Sequence, residues 1–340
     1  MSRKLTRTKK KTYSRVNRER DNSICSYKSI SNDRRWTAWK SALNIHRYFI
    51  PGKYSLLKLG KKSCQDINND VSRTFTNFPY NKKALENILA TYATYNESVG
   101  YCQGMNYLAG ILLIVSDSNE EETFWAFVSL MERKISTDKV NLGGLCQLYQ
   151  NNFPLVKVIQ RLFEQILKMN NPLLDQHLNK VGLSIELWLQ KWISSLFLYS
   201  FPMDYSVKFW DALMINGISF LLPLSLVIVR RLAKKLMEVR TIEKCYEILK
   251  IPEHVRKTIL PNPDLLVEEA KYLKIDWKEL EITVDCESSI EIPTNDCYQA
   301  NKKQMLFSDL CFLRDKWKEN GVEEKVVCAV RNVQYKNNNV

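Results

Sequence analysis

The chain has 340 residues, 45% of them hydrophobic, and a formal net charge of +13. That is enough apolar material for one large or two modest domains with a buried core. With only 10 glycines and few alternating apolar runs, the composition favours an all-helical fold. No apolar stretch reaches the length of a membrane span, and the basic start lacks the apolar core of a secretory signal.

The nine cysteines are scattered without a C-x-x-C pair, and His46, His177 and His254 form no local motif. This argues against a disulfide or zinc framework and for reduced, buried thiols in a cytosolic setting. The charge is uneven. Arg3, Lys4, Arg7, Lys9, Lys10, Lys11, Arg15, Arg18 and Arg20 face Glu19 as the sole acid up to Arg20. Residues 1–29 have little to bury and read as a basic disordered arm. Nucleic acid, an anionic membrane and nuclear import are all partners such a charge run serves, and a solvated arm is the plain alternative.

From Ser31 a helix is predicted, capped by Asn32 or Asp33, with Trp36, Trp39, Ala42 and Leu43 at helical spacing. Arg35 and Trp39 stand four apart and share a face. Gln65 to Arg73 carries Ile67, Asp70 and Arg73; if helical, Ile67 anchors it and Asp70 restrains Arg73 three residues on. A lone pair of that spacing on a surface contributes well under about 1 kcal/mol. Thr74 to Tyr80 reads as a loop. Lys82 to Glu97 is strongly amphipathic, with Leu85, Ile88, Leu89 and Tyr92 on one stripe, ending near Gly100.

Ser98 to Val115, SVGYCQGMNYLAGILLIV, stands apart. It sets Gln103 between Gly100 and Gly104 at the mouth of an apolar helix. Glycines permit backbone shapes that other residues resist. A glutamine amide can donate to one oxygen and accept from another, as the orientation of an attacking water requires; a solvated helix start is the bland reading. Ser118 and Glu121 form a capping box for a helix bearing Phe124, Trp125, Phe127, Val128 and Met131. Gly143–Gly144 marks a turn, and Leu155 to Met169 is a further amphipathic helix ended by Asn170-Asn171-Pro172. Helices follow over Ile185–Leu198, Tyr205–Ile215, Ser219–Met237 and Thr241–Leu249, and Pro261-Asn262-Pro263-Asp264 starts another short one through about Leu273. Asp285 to Thr294 reads as a linker and Lys302 to Trp317 as a last short helix before a loose tail.

Three short motifs occur in order: Arg35-x-x-x-Trp39, Ile67-x-x-Asp70-x-x-Arg73, and Tyr101-x-Gln103 inside G-Y-C-Q-G-M-N. Together with Phe124-Trp125, Phe201-Pro202 and Trp210-Asp211, they make the chain resemble the TBC domain of Rab GTPase-activating proteins. The resemblance covers roughly Arg34 to Leu280; Arg34 and Arg35 compete for the arginine of the first motif. It implies an all-α, multi-helix TBC domain with two helical lobes over residues 30–280; the arm before it and the linker, short helix and loose tail over 281–340 lie outside the resemblance.

The resemblance also implies that Arg73 serves as an arginine finger and Gln103 as a glutamine finger on a partner Rab in its GTP form. Arg35, Trp39, Ile67, Asp70, Tyr101 and Gly104 would support them. The chain would need no cofactor of its own, because GTP and Mg²⁺ belong to the partner, which makes the lack of a P-loop expected. A cytoplasmic place, peripheral on endomembranes, would follow. A non-catalytic TBC scaffold or Rab effector is the alternative. Nucleic-acid binding rests on the arm alone and has no aromatic-interleaved basic surface behind it.

Overall fold

The computed structural model describes residues 33–61, 64–133, 135–136, 141–142, 144–273, 281–283 and 304–306. Over these residues the fold is all-α: fourteen helices carry the structure, and two very short antiparallel ribbons accompany them. The basic arm over 1–29, the linker over 285–294 and most of the short helix expected over 302–317 lie outside the described residues. No helix among the described residues is long and apolar enough to cross a membrane. The chain divides after Ser129 into two compact units.

The first unit holds α1 (Asp33–Leu43), α2 (Lys53–Gly60), α3 (Gln65–Arg73), α4 (Lys82–Tyr95), α5 (Met105–Val115) and most of α6 (Glu120–Glu132). Helix α5 is apolar all round, and ten of its eleven residues are buried. Such a helix can only be a core element. The stripe Leu85, Ile88, Leu89 and Tyr92 of α4 is buried. Phe124, Trp125 and Phe127 of α6 extend the core, with Tyr92 and Phe127 edge-to-face at 4.9 Å and Tyr54 tilted against Phe124 at 4.7 Å. Each such pair contributes roughly 0.5–1.5 kcal/mol beyond burial.

Helix ends follow the side chains. Asn81 caps α4 by accepting from the Ala84 amide at 3.0 Å. The expected Ser118–Glu121 capping box does not form. Asn119 takes that place, its Oδ1 accepting from the Glu122 amide at 3.2 Å. Ser118 instead serves the preceding helix: at φ +64° its amide closes α5 by donating to Leu113 O at 2.8 Å. Helix α4 stops at Tyr95 rather than near Gly100, because the Asn96 carbonyl and side chain take the following amides.

The second unit contains α7 (Pro154–Asn170), α8 (Pro172–Val181), α9 (Ile185–Ser194), α10 (Met203–Asn216), α11 (Leu221–Met237), α12 (Ile242–Leu249), α13 (Glu253–Ile259) and α14 (Pro263–Tyr272). Asn171 both ends α7 and starts α8, where it accepts from the Leu174 amide at 3.3 Å ahead of Pro172. Helix α9 stops at Ser194 because Leu196 and Phe197 turn to positive φ. Trp188, Trp192, Phe197 and Phe209 are fully buried, with successive rings 5.0–5.8 Å apart. The ribbon β1 (Ile135–Ser136) and β2 (Asn141–Leu142) pairs Ile135 with Leu142. A second ribbon joins β3 (Glu281–Thr283) to β4 (Gln304–Leu306). Those last three residues fall within the segment expected to be helical. Cross-strand pairing supplies backbone partners that so short a piece could not find as an isolated helix.

In the first unit, α2, α4 and α6 meet on one carboxylate. Glu120 Oε1 accepts from the Tyr54 hydroxyl, from Lys58 and from Asn87 at 3.1 Å, and Lys61 donates to Asn87. Burial alone would raise the Glu120 carboxyl, but the hydrogen bonds from Lys58 and Tyr54 outweigh it and hold the group below the usual glutamate range. A depressed folded-state pKa contributes stability above the unfolded pKa, about 4.3, and loses it as pH falls through the folded value. Glu120→Gln should therefore lower unfolding stability at pH 7 by about 1–3 kcal/mol. It should also flatten the loss of stability on acidification, as read from urea midpoints across pH; equal slopes for the two proteins would count against this role.

Candidate functional site

The site grows from the C-terminal half of α3. Ile67 (1% exposed) and Val71 anchor the helix in the core, which turns Asp70 inward. Asp70 is 4% exposed, and a carboxylate in that position requires strong donors. It has two. Arg73, three residues on, donates from Nη2 to Oδ1, and the Tyr101 hydroxyl donates to Oδ2. The Arg73 side chain remains 56% exposed, so its far side stays open to solvent. Burial, followed by the hydrogen bond to Asp70, pushes the Tyr101 phenol far above its ordinary value. The phenol is therefore a neutral donor at physiological pH.

Tyr101 lies in the loop between α4 and α5. Gly100 at φ +63° and Gly104 at φ +112° hold backbone shapes that disfavour side chains, and Gly104 caps α5. Gln103 between them is exposed, and its amide makes no hydrogen bond to another described residue. Burial pushes the Cys102 thiol up, so it stays protonated. Asp70 thus brings Arg73 to the loop that presents Gln103.

Two residues of the site were given no role from the sequence, although Asn106 closes the G-Y-C-Q-G-M-N run. Asn106 is fully buried; its Oδ1 accepts from the Gly104 amide at 2.9 Å, and its Nδ2 donates to Thr74 Oγ1 at 2.7 Å. Thr74, also fully buried, donates to the Asp70 carbonyl at 2.6 Å. The available signal was an asparagine at the head of an apolar helix, since a buried amide needs partners. Phe75 follows at φ +41° with its ring edge-on to Tyr107 at 5.6 Å. Gly110 makes room for it: a Cβ there would stand 3.0 Å from the Phe75 ring.

The first motif sits elsewhere in the same unit. Trp39 is buried at 2% and Arg35 is half-buried, both on α1. That helix is tied to α6 through Glu122, which accepts from Trp36 Nε1 at 2.8 Å and Lys40 at 3.1 Å. Among the described residues no group of three or more His, Cys, Asp or Glu is placed to hold a metal ion. The chemistry on offer is electrostatic: a guanidinium fixed on one nitrogen by Asp70, and an exposed amide, able to donate and accept, two residues after the tyrosine that bonds the same carboxylate.

Residues 32–237 match the model of the Rab-GTPase-TBC domain. Growth hormone-regulated TBC protein 1 of Homo sapiens is 26% identical over 203 residues, 56% of this chain and 57% of that protein. GTPase-activating protein GYP5 of Eremothecium gossypii is 27% identical over 210 residues, 59% of this chain and 24% of that protein. The chain spans between 55% and 65% of the length of the growth hormone-regulated TBC proteins it matches. In fold it is similar to the Chlamydomonas flagellar RabGAP TBC domain, with a TM-score of 0.59 at 21% identity over 69% of this chain and 78% of that one. It is likewise similar to the Ypt/Rab-GAP domain of Gyp1p, with a TM-score of 0.51 at 18% identity over 70% and 79%. With the family model covering more than half of the 340 residues, the chain belongs to the Rab-GTPase-TBC domain family.

Proposed function

We propose that this chain accelerates GTP hydrolysis by a Rab-family GTPase, lending it Arg73 and Gln103 in trans. The observation that carries this reading is Asp70, which bonds Arg73 with one oxygen and Tyr101 with the other, two residues before the exposed Gln103. Phosphoryl transfer needs little covalent help; it needs positive charge on the phosphate oxygens and an aligned water. Arg73 supplies the first. Its planar fork keeps its charge and spans two oxygens, and Asp70 holds it on one nitrogen. Gln103 supplies the second by accepting from the water and donating to a phosphate oxygen. The GTP-bound partner brings nucleotide and Mg²⁺, so the chain needs no cofactor of its own. Fingers of this kind supply about 10³ to 10⁵ in rate.

The catalytic unit in this reading is the TBC domain over residues 30–280. It works in the cytoplasm, in vesicle traffic, peripheral to endomembranes whose anionic lipids attract the basic arm. The Asp70–Arg73 pair is also the one observation that favours the second reading, a non-catalytic scaffold or Rab effector, because it already occupies part of the guanidinium.

In a GTP-hydrolysis screen against a panel of Rabs, Arg73→Ala and Gln103→Ala should each lower kcat/KM on the best substrate by about 10²-fold or more. The double variant should be little worse than the poorer single, since the two act on one transition state. Arg73→Lys should fail for want of the fork, and Gln103→Glu for want of a donor. Gln103→Ala should melt as the parent does. Arg73→Ala should melt lower, because it strips a buried carboxylate of its cation. Wild-type activity in Gln103→Ala would transfer the assignment to the scaffold.

Deleting residues 1–22 should leave kcat on a soluble Rab nearly unchanged while lowering binding to vesicles containing anionic lipid. A large fall in kcat on deletion would show that the arm takes part in the chemistry.

A further inference from the structure

We propose that Asn106 and Thr74 are positioning residues that clamp the glutamine loop to the arginine helix, closing from the far side the bracket that Asp70 opens. The inference deepens the dual-finger reading and rests on it. Asp70 reaches the loop by two routes. Its carboxylate bonds Tyr101, two residues before Gln103. Its carbonyl accepts from Thr74, which accepts from Asn106, whose Oδ1 holds the amide of Gly104, the residue after Gln103. Gln103 is therefore flanked on each side by a residue tied back to Asp70, and Asp70 also holds Arg73. The ring of contacts fixes the loop and the finger helix as one body.

Plain helix capping does not account for this arrangement. Holding the Gly104 amide uses Oδ1 alone. The Nδ2 contact crosses 32 residues of sequence to a hydroxyl that itself has a further partner. Both Asn106 and Thr74 are fully buried, so each polar group must be partnered or penalised. Gly104 at φ +112° has a backbone shape that the Asn106 contact holds. The Thr74 methyl packs separately: a Cβ at Gly110 would stand 3.2 Å from it. Hydroxyl and methyl thus have distinct roles that substitution can separate.

Thr74→Val keeps the methyl and loses the hydroxyl; Thr74→Ser does the reverse. On the best Rab, Thr74→Val should lower kcat by about 10-fold or more with KM within about threefold, while Thr74→Ser keeps kcat within about threefold. Equal losses in the two, or a loss following the methyl, would overturn the proposal. A second measurement, hydrogen–deuterium exchange of the full chain, is independent of GTPase activity. In Thr74→Val and in Asn106→Leu, exchange should rise together over residues 100–105 and 74–80 without loss of helicity. If Asn106→Leu does not fold, Thr74→Val alone decides. A wild-type chain that activates no Rab would sink the GTPase-activating reading, and the exchange result would then judge the clamp. A rise in both segments sustains it, and a rise in one or neither ends it.

Discussion

A carboxylate that is 4% exposed restricts what can surround it, and Asp70 does so for this site. Leaving it with a single weak donor would cost several kcal/mol of uncompensated charge burial. It takes a guanidinium from its own helix and a phenol from a loop 31 residues on. The Arg73 contact follows from helical spacing, three residues apart on α3. The Tyr101 contact is tertiary, and it fixes which part of the loop faces α3. An arginine side chain carries roughly 2 kcal/mol of rotamer entropy. Part of that ordering is complete before any ligand arrives, which is the energetic sense of preorganisation.

The constraint works because α5 is buried. A helix with ten of eleven residues inside has no freedom to rotate or slide without exposing apolar surface, so whatever its first turn holds is held firmly. Its first turn holds Gly104 through Asn106, and its middle offers Gly110 to Phe75. The α3 end and the glutamine loop are thus docked onto a helix with ten of its eleven residues buried. Glu120 performs a comparable service between α2, α4 and α6, where polar groups converge on one oxygen.

Long helices with an apolar stripe at 3.6-residue spacing were readable from sequence: Lys82–Tyr95 starts where expected, and Pro154–Asn170 lies within one residue of its expected ends. Short ones were not. In Lys53–Gly60 two of the three leucines point outward, Leu56 at 70% and Leu59 at 85% exposure, so no stripe announces the helix. Asn170-Asn171-Pro172 read as a stop, yet a proline that ends one helix is equally at home in the first turn of the next. Of the four described cysteines, Cys146 and Cys245 are buried, while Cys64 and Cys102 are only partly so. At the site, the Asp70–Arg73 pair was legible because it is local. The Asp70–Tyr101 bond and the Thr74–Asn106 bond depend on how α3 meets α5, and no local pattern carries that information.

The pairing of Arg73 with Asp70 bears on selectivity. A guanidinium and a carboxylate in contact carry no net charge between them, so the site is a poor trap for free phosphate. Arg73 nevertheless has donors beyond the Nη2 that faces Asp70, on a side chain that is 56% exposed. An anion gains from them only when its oxygens match the fork, and gains most when charge builds on those oxygens during bond breaking. Interactions stronger in the transition state than in the ground state raise the rate, whereas uniform attraction to phosphate would only tighten binding. Under the proposed GTPase-activating reading, an arginine already paired with Asp70 therefore suits a protein that must release its partner after each turnover.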